Sequence, residues 1–212
     1  WSATNWSGRS GFMLVKFTAS QSQLISKVAT YAMAAGTTIG IDIYDHFDPA
    51  TGVLSGLRTH QAGLPCELPG YYTFALDKPV AVNAGSDFYI RIYYQTPSYD
   101  YPIPIEEAYT GYSAPNIETG KAWIGYDSHG ESNYWFAIGG STDYPWDPCV
   151  KAYAEPLLSW AGTQNTDWNT ADNWNPATVP SPKQNIEIPA TANPPLISNT
   201  FSSPATCKAL TI

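Results

Sequence analysis

Apolar and polar residues alternate with a period of two along much of the chain between Gly11 and Glu155. Ile39, Ile41 and Ile43 are separated by Gly40, Asp42 and Tyr44. In the run Asp87–Gln95, Phe88, Ile90, Ile92 and Tyr94 fall on one side, with Tyr89, Arg91 and Tyr93 on the other. Successive side chains of a strand point to opposite faces, so each run reads as a strand with one buried face. Residues 12–17, 24–33, 71–76, 121–126, 134–138 and 149–154 add further strands, with Gly, Pro, Asn and Ser clusters between them. No segment keeps an apolar stripe at i, i+3, i+4, i+7. The pattern predicts an all-β chain: an antiparallel β-sandwich of the jelly-roll kind.

The text changes character around Pro156. Ser159-Trp-Ala-Gly162, Thr166-Asp-Trp-Asn169 and Asn173-Trp-Asn-Pro176 are followed by Ile186-Glu-Ile-Pro189 and a closing apolar run, Ala209–Ile212. Short β-segments and loops pinned by Trp160, Trp168 and Trp174 are expected here. The boundaries predicted are a sandwich over 1–156 and a small β-module over 157–212, the latter the start of a longer β-helical or repeat region.

Composition narrows the partners. Only 13% of residues are charged, against 14% aromatic, with 15 Tyr and 8 Trp, which suits short strands and turns better than long helices. Eighteen acidic and 10 basic residues give a formal charge of −8, which excludes the electrostatic footprint of a nucleic-acid binder and disfavours anionic membranes. No apolar run approaches the roughly 18 residues that span a bilayer. Trp1–Arg9 lacks the charged start and apolar stretch of a signal peptide, so the chain reads as an interior piece of an exported protein. Cys66, Cys149 and Cys207 are too scattered for a zinc motif. A Cys66–Cys149 bridge and buried free thiols both stand as readings.

Four stretches resemble a known family: Ile41-Asp-Ile-Tyr-Asp45 with Phe47-Asp48, Gly85-Ser-Asp-Phe-Tyr-Ile90, Gly120-Lys-Ala-Trp-Ile-Gly-Tyr-Asp127 and Cys149-Val-Lys-Ala-Tyr153. In that order they resemble the lectin-like β-sandwich domain that follows papain-family peptidase domains in bacterial secreted proteins. The resemblance implies an accessory, non-catalytic domain, secreted or at the cell surface, with a catalytic domain upstream in the same chain. The second unit, with W-x-G, D-W-N, N-W and V-P, resembles a spacer module of large bacterial surface proteins. Fold alone does not establish sugar binding.

A papain-type centre needs a thiolate activated at a helix start beside a His base, and Cys66 sits among prolines with no helical pattern after it. No G-x-S-x-G occurs, and Glu106 and Glu107, adjacent on a strand, point to opposite faces. No catalytic residue is assigned. Asp42, Asp45 and Asp48 form a spaced acidic trio that reads either as turn chemistry at Asp48-Pro49 or as oxygen ligands for Ca²⁺; no other cofactor is implied. Trp123, Tyr126, Tyr134 and Trp135 crowd together with Asp127 and Asn133. Rings that stack on the C–H faces of sugars, beside groups that bond hydroxyls, make these six the predicted ligand-binding residues. Core or rim packing explains the same rings individually. The expected role is therefore binding of glycan or protein at the cell surface, or packing on a catalytic domain. A structural spacer without a ligand is the rival.

Overall fold

The alternating runs do form strands. The structure, a computed structural model, describes residues 2–3, 9–115, 117–125, 135–140, 142–197 and 205–212. The chain forms two compact units, one of Trp1–Thr18, Ser26–Val80 and Ser86–Tyr153, the other of Ala19–Ile25, Ala81–Gly85 and Ala154–Ile212. Among the described residues the strands are β1 (Ser2–Ala3), β2 (Ser10–Thr18), β3 (Gln23–Ala32), β4 (Thr37–Asp48), β5 (Val53–Cys66), β6 (Gly70–Val82), β7 (Asp87–Gln95) and β8 (Pro104–Glu106). They continue with β9 (Ala122–Gly125), β10 (Trp135–Ile138), β11 (Asp147–Pro148), β12 (Val150–Trp160), β13 (Trp174–Asn175), β14 (Asn185–Glu187) and β15 (Ala209–Thr211).

In the first unit a six-stranded antiparallel sheet runs in the order β10-β9-β2-β7-β4-β5. Its inner face is the isoleucine ladder read from the sequence. Met13 pairs with Ile92 and Ile92 with Ile41, while Val15 pairs with Ile90 and Ile90 with Ile43. All these side chains are at most 4% exposed. Against this face lies a second sheet in which β3 sits between β6 and β12. The buried hydroxyls of Thr30 on β3 and Tyr94 on β7 share a 2.6 Å hydrogen bond, so each satisfies the other inside the apolar layer. A short sheet, β1-β8-β11, adds to the unit.

β5 is absent from the sequence reading, although it is 14 residues long. It is an edge strand, exposed at most positions, and it carries two register irregularities against β4. The bulges and exposure erase the period-2 signal on which the reading relied. Its edge meets β6, the edge of the other sheet, through one side chain: Gln61 Nε2 donates to the Ala75 carbonyl (3.2 Å) and the Asp77 N–H donates to Gln61 Oε1 (3.2 Å). β12 runs unbroken through Pro156, and the two compact units part within it, between Tyr153 and Ala154, close to the boundary expected from the sequence.

The second unit stands on three tryptophans. Trp174 meets Trp160 and Trp168 edge-on at 5.0 and 4.8 Å, with Leu158 and Ile186 completing the buried cluster. The end of β12 pairs antiparallel with β13 and parallel with β14, and β15 extends the parallel set. Asn173, fully buried in a single 3₁₀ turn (Ala171–Asn173), fills its whole hydrogen-bonding capacity. Its Oδ1 accepts from the Gln164 and Asn165 amides, and its Nδ2 donates to Asn165 Oδ1 and the Asp167 carbonyl. The three rings are structural anchors, as their spacing in the sequence suggests.

Candidate functional site

The face of the six-stranded sheet opposite the isoleucine ladder collects the unusual side chains. Read across the strands, one rung is Ala137, Trp123, Leu14, Arg91, Asp42 and His60. The next rung places Trp135 beside Gly125, then Phe12, Tyr93 and Gly40. Leu14, Trp123 and Tyr89 are buried on this face together with Phe47, from the end of β4. Phe47 meets Trp123 and Trp135 edge-on at 4.8 and 5.8 Å. Trp135 lies on the backbone at Gly125, where even a Cβ would approach its ring to 2.9 Å, and its indole N–H donates to the Gly52 carbonyl (3.1 Å). The indole is thereby locked, half-buried, with its orientation set by backbone on both sides.

Beside it the charged groups are organised by the same rings. Arg91 donates from Nε and one terminal nitrogen to Asp42 Oδ2 (2.9 and 2.7 Å), and His60 Nδ1 meets Asp42 Oδ1 at 2.5 Å. The guanidinium lies 5.1 Å from the Phe12 ring and 5.4 Å from the Tyr44 ring, a favourable placement of a cation on aromatic faces. Asp42 is buried, whereas His60 is largely exposed. The accessible part of the face is thus a strip of Trp135, Tyr93, Arg91, Tyr44 and His60, three half-buried rings with polar groups fixed among them.

Of the six residues predicted to bind ligand, Trp123 and Trp135 come to this one face, Trp123 beneath it at 6% exposure and Trp135 at its surface. Tyr126, Asp127, Asn133 and Tyr134 lie outside the described residues. Sequence reasoning missed Phe12, Tyr44, His60, Arg91 and Tyr93. The signal was present in the polar side of β7, Tyr89-x-Arg91-x-Tyr93, but its meaning depends on which strand lies alongside.

The acidic trio does not converge. Asp42 is engaged by Arg91 and His60, and Asp45 by Arg58 Nη1 at 3.0 Å. Asp48 closes the β4–β5 turn by accepting from the Ala50 amide and the Thr51 hydroxyl, bonds that pull its carboxyl below the usual range. Gly52 completes that turn with φ of +73°. Among the described residues no group of three His, Cys, Asp or Glu side chains is placed to hold a metal ion. The three thiols are unbridged. Burial pushes the Cys66 thiol up to about 11, the opposite of an activated nucleophile.

Comparison with curated proteins gives no match. Two solved structures match at a TM-score of 0.51. One comprises the cysteine protease and lectin-like domains of Cwp84, a surface layer associated protein of Clostridium difficile, at 12% identity over 69% of this chain and 32% of that one. The other is the clostridial cysteine protease Cwp84 after propeptide cleavage, at 13% identity over 70% of this chain and 36% of that one. The chain therefore spans about a third of the solved chains it resembles, and the likeness is one of fold. In the first of them protease and lectin-like parts are separate domains, and it is the lectin-like, non-catalytic kind that this sequence matches. Over residues 13–154, two-thirds of its length, the chain belongs to the lectin-like domain family.

Proposed function

We propose that this chain is the glycan-binding accessory region of an exported bacterial surface protein, with a cysteine protease as the catalytic partner in the same polypeptide. One observation carries the reading: Trp135, Tyr93 and Tyr44 are all half-buried, with part of each ring accessible, on a single sheet face, with Arg91 and His60 held among them. Sugar rings stack their C–H faces on such aromatics, while guanidinium and imidazole N–H groups donate to hydroxyl oxygens. Because Trp135 and Arg91 are immobilised before any ligand arrives, little side-chain entropy is lost on binding. The surface-layer association of the solved relative supports a location at the cell surface. The second unit serves as the connector to the rest of the chain.

The test is a broad glycan array followed by titration of the best hit. Trp135→Ala and Tyr93→Ala are expected each to weaken binding about tenfold or more, the worth of one stacked ring. Silence across the array would remove the glycan reading and leave the spacer.

A further inference from the structure

The first unit also holds a cavity of the opposite chemistry to that sheet face. Its volume is about 500 Å³, within the range of small-ligand sites, and Tyr31, Tyr71, Glu106, Asp147, Pro148, Cys149, Val150 and Lys151 line it. β8 and β11 pair antiparallel so that Glu106 and Asp147 stand directly opposite one another, which brings two like charges within reach of each other on one face. Both are partly buried, and among the described residues neither has a hydrogen-bond or ion-pair partner. Burial, and then the charge of Glu106, raise the Asp147 carboxyl above its ordinary range. Two facing carboxylates repel one another, and a cation seated between them relieves that repulsion.

The rest of the wall shows which cation fits. With only two carboxylates, and among the described residues no His to complete a set, the site lacks the ligands of a metal. Its aromatic side already accepts an amine: Lys151 Nζ lies 5.5 Å from the centre of the Tyr71 ring and makes no salt bridge to either carboxylate. Tyr71 stands beside Tyr153 and keeps 42% of its surface exposed, so its ring is open to a ligand. Cys149, 6% exposed, forms an inert wall of the cavity, its thiol kept protonated by burial and by the two carboxylates.

We infer that this cavity binds a monosaccharide bearing a free protonated amine. The ammonium sits between Glu106 and Asp147, and the sugar ring lies along Tyr71 and Tyr31. This site shares no residue with the Trp135 face and stands without it.

The experiment titrates the whole chain at neutral pH with D-glucosamine, N-acetyl-D-glucosamine, D-glucose and Nα-acetyl-lysine amide. Glucosamine is expected to bind saturably, and about tenfold or more tighter than its acetylated form, because acetylation removes the charge-assisted hydrogen bonds. Asp147→Asn and Glu106→Gln should each weaken glucosamine by about tenfold. Each variant should leave the melting temperature unchanged or raised, since either removes one of two repelling charges. A merely structural role would instead lower it. Trp135→Ala is expected to leave glucosamine binding intact, so failure here and failure of the sheet-face reading are separable. The inference is overturned if glucosamine does not saturate, if the acetylated sugar binds equally, if both variants bind as the parent does, or if the lysine amide binds as tightly as glucosamine.

Discussion

Truncating Asp42 isolates the interaction that shapes the outer face. Its carboxylate is 7% exposed and accepts two bonds from Arg91, whose side chain is 20% exposed. In Asp42→Ala the guanidinium stays wedged between Phe12 and Tyr44 with its counter-charge gone. Stranding one partner of a buried pair costs about 3–5 kcal/mol. The rings return on the order of 1 kcal/mol, and the exposed fifth of the side chain lets water reach it, so a loss of about 3 kcal/mol is expected. Replacing both, Asp42→Ala with Arg91→Met, leaves no stranded charge and fills the slot between the rings. That variant should lie within about 1 kcal/mol of the parent, while Arg91→Met alone leaves the buried Asp42 carboxylate with only His60 beside it and should cost about 2 kcal/mol, so the coupling energy is about 4 kcal/mol. Urea unfolding of all four proteins, followed by far-UV dichroism, measures the cycle. A single-variant loss below about 1 kcal/mol, or additive effects, would refute the claim that the pair acts as one buried unit.

Other outcomes follow from the same geometry. Trp174→Ala removes a ring packed edge-on against two others and should cost about 3–5 kcal/mol, read as early loss of the second unit's tryptophan emission. Asp87 is held below the usual carboxylate range by its hydrogen bonds to Lys16 and then Thr18, so the stability it adds is present above the unfolded value near 3.9 and lost as pH falls through its lower folded value. Asp87→Asn should therefore destabilise at neutral pH, and the gap to the parent should close in acid melts; a constant gap would contradict the assignment. Cys66, buried with its thiol pushed up to about 11, should resist iodoacetamide at pH 8 in the native protein, while the more accessible Cys207 labels first. Equal labelling rates, read by mass spectrometry, would show that the sandwich opens at that site.

What the sequence made legible was the recurrence of apolar residues at every second position. β4 and β7 alternate cleanly because their isoleucines face the other sheet, and the predicted 87–95 strand coincides with β7. β5 escaped because an exposed edge strand has no face to mark. Pro156 is exposed and β12 passes through it, yet the change of unit falls close by, after Tyr153. The candidate site was harder still. Trp123 and Trp135 were named together because they are near in sequence, but Trp135 reaches Phe12 and Phe47, and Arg91 reaches Asp42, only through register. Register is set by bulges and turns that leave faint traces in the text. Glu106 shows the same limit: considered beside Glu107, it belongs opposite Asp147.

The amide of Gln61 has a mechanical meaning. By offering one donor and one acceptor to β6, it imitates a missing peptide unit and fastens the rims of two separate layers. A foreign chain seeking to extend either rim would first have to break this clasp, so the molecule guards its most vulnerable margin against fibrous self-association with a single uncharged side chain.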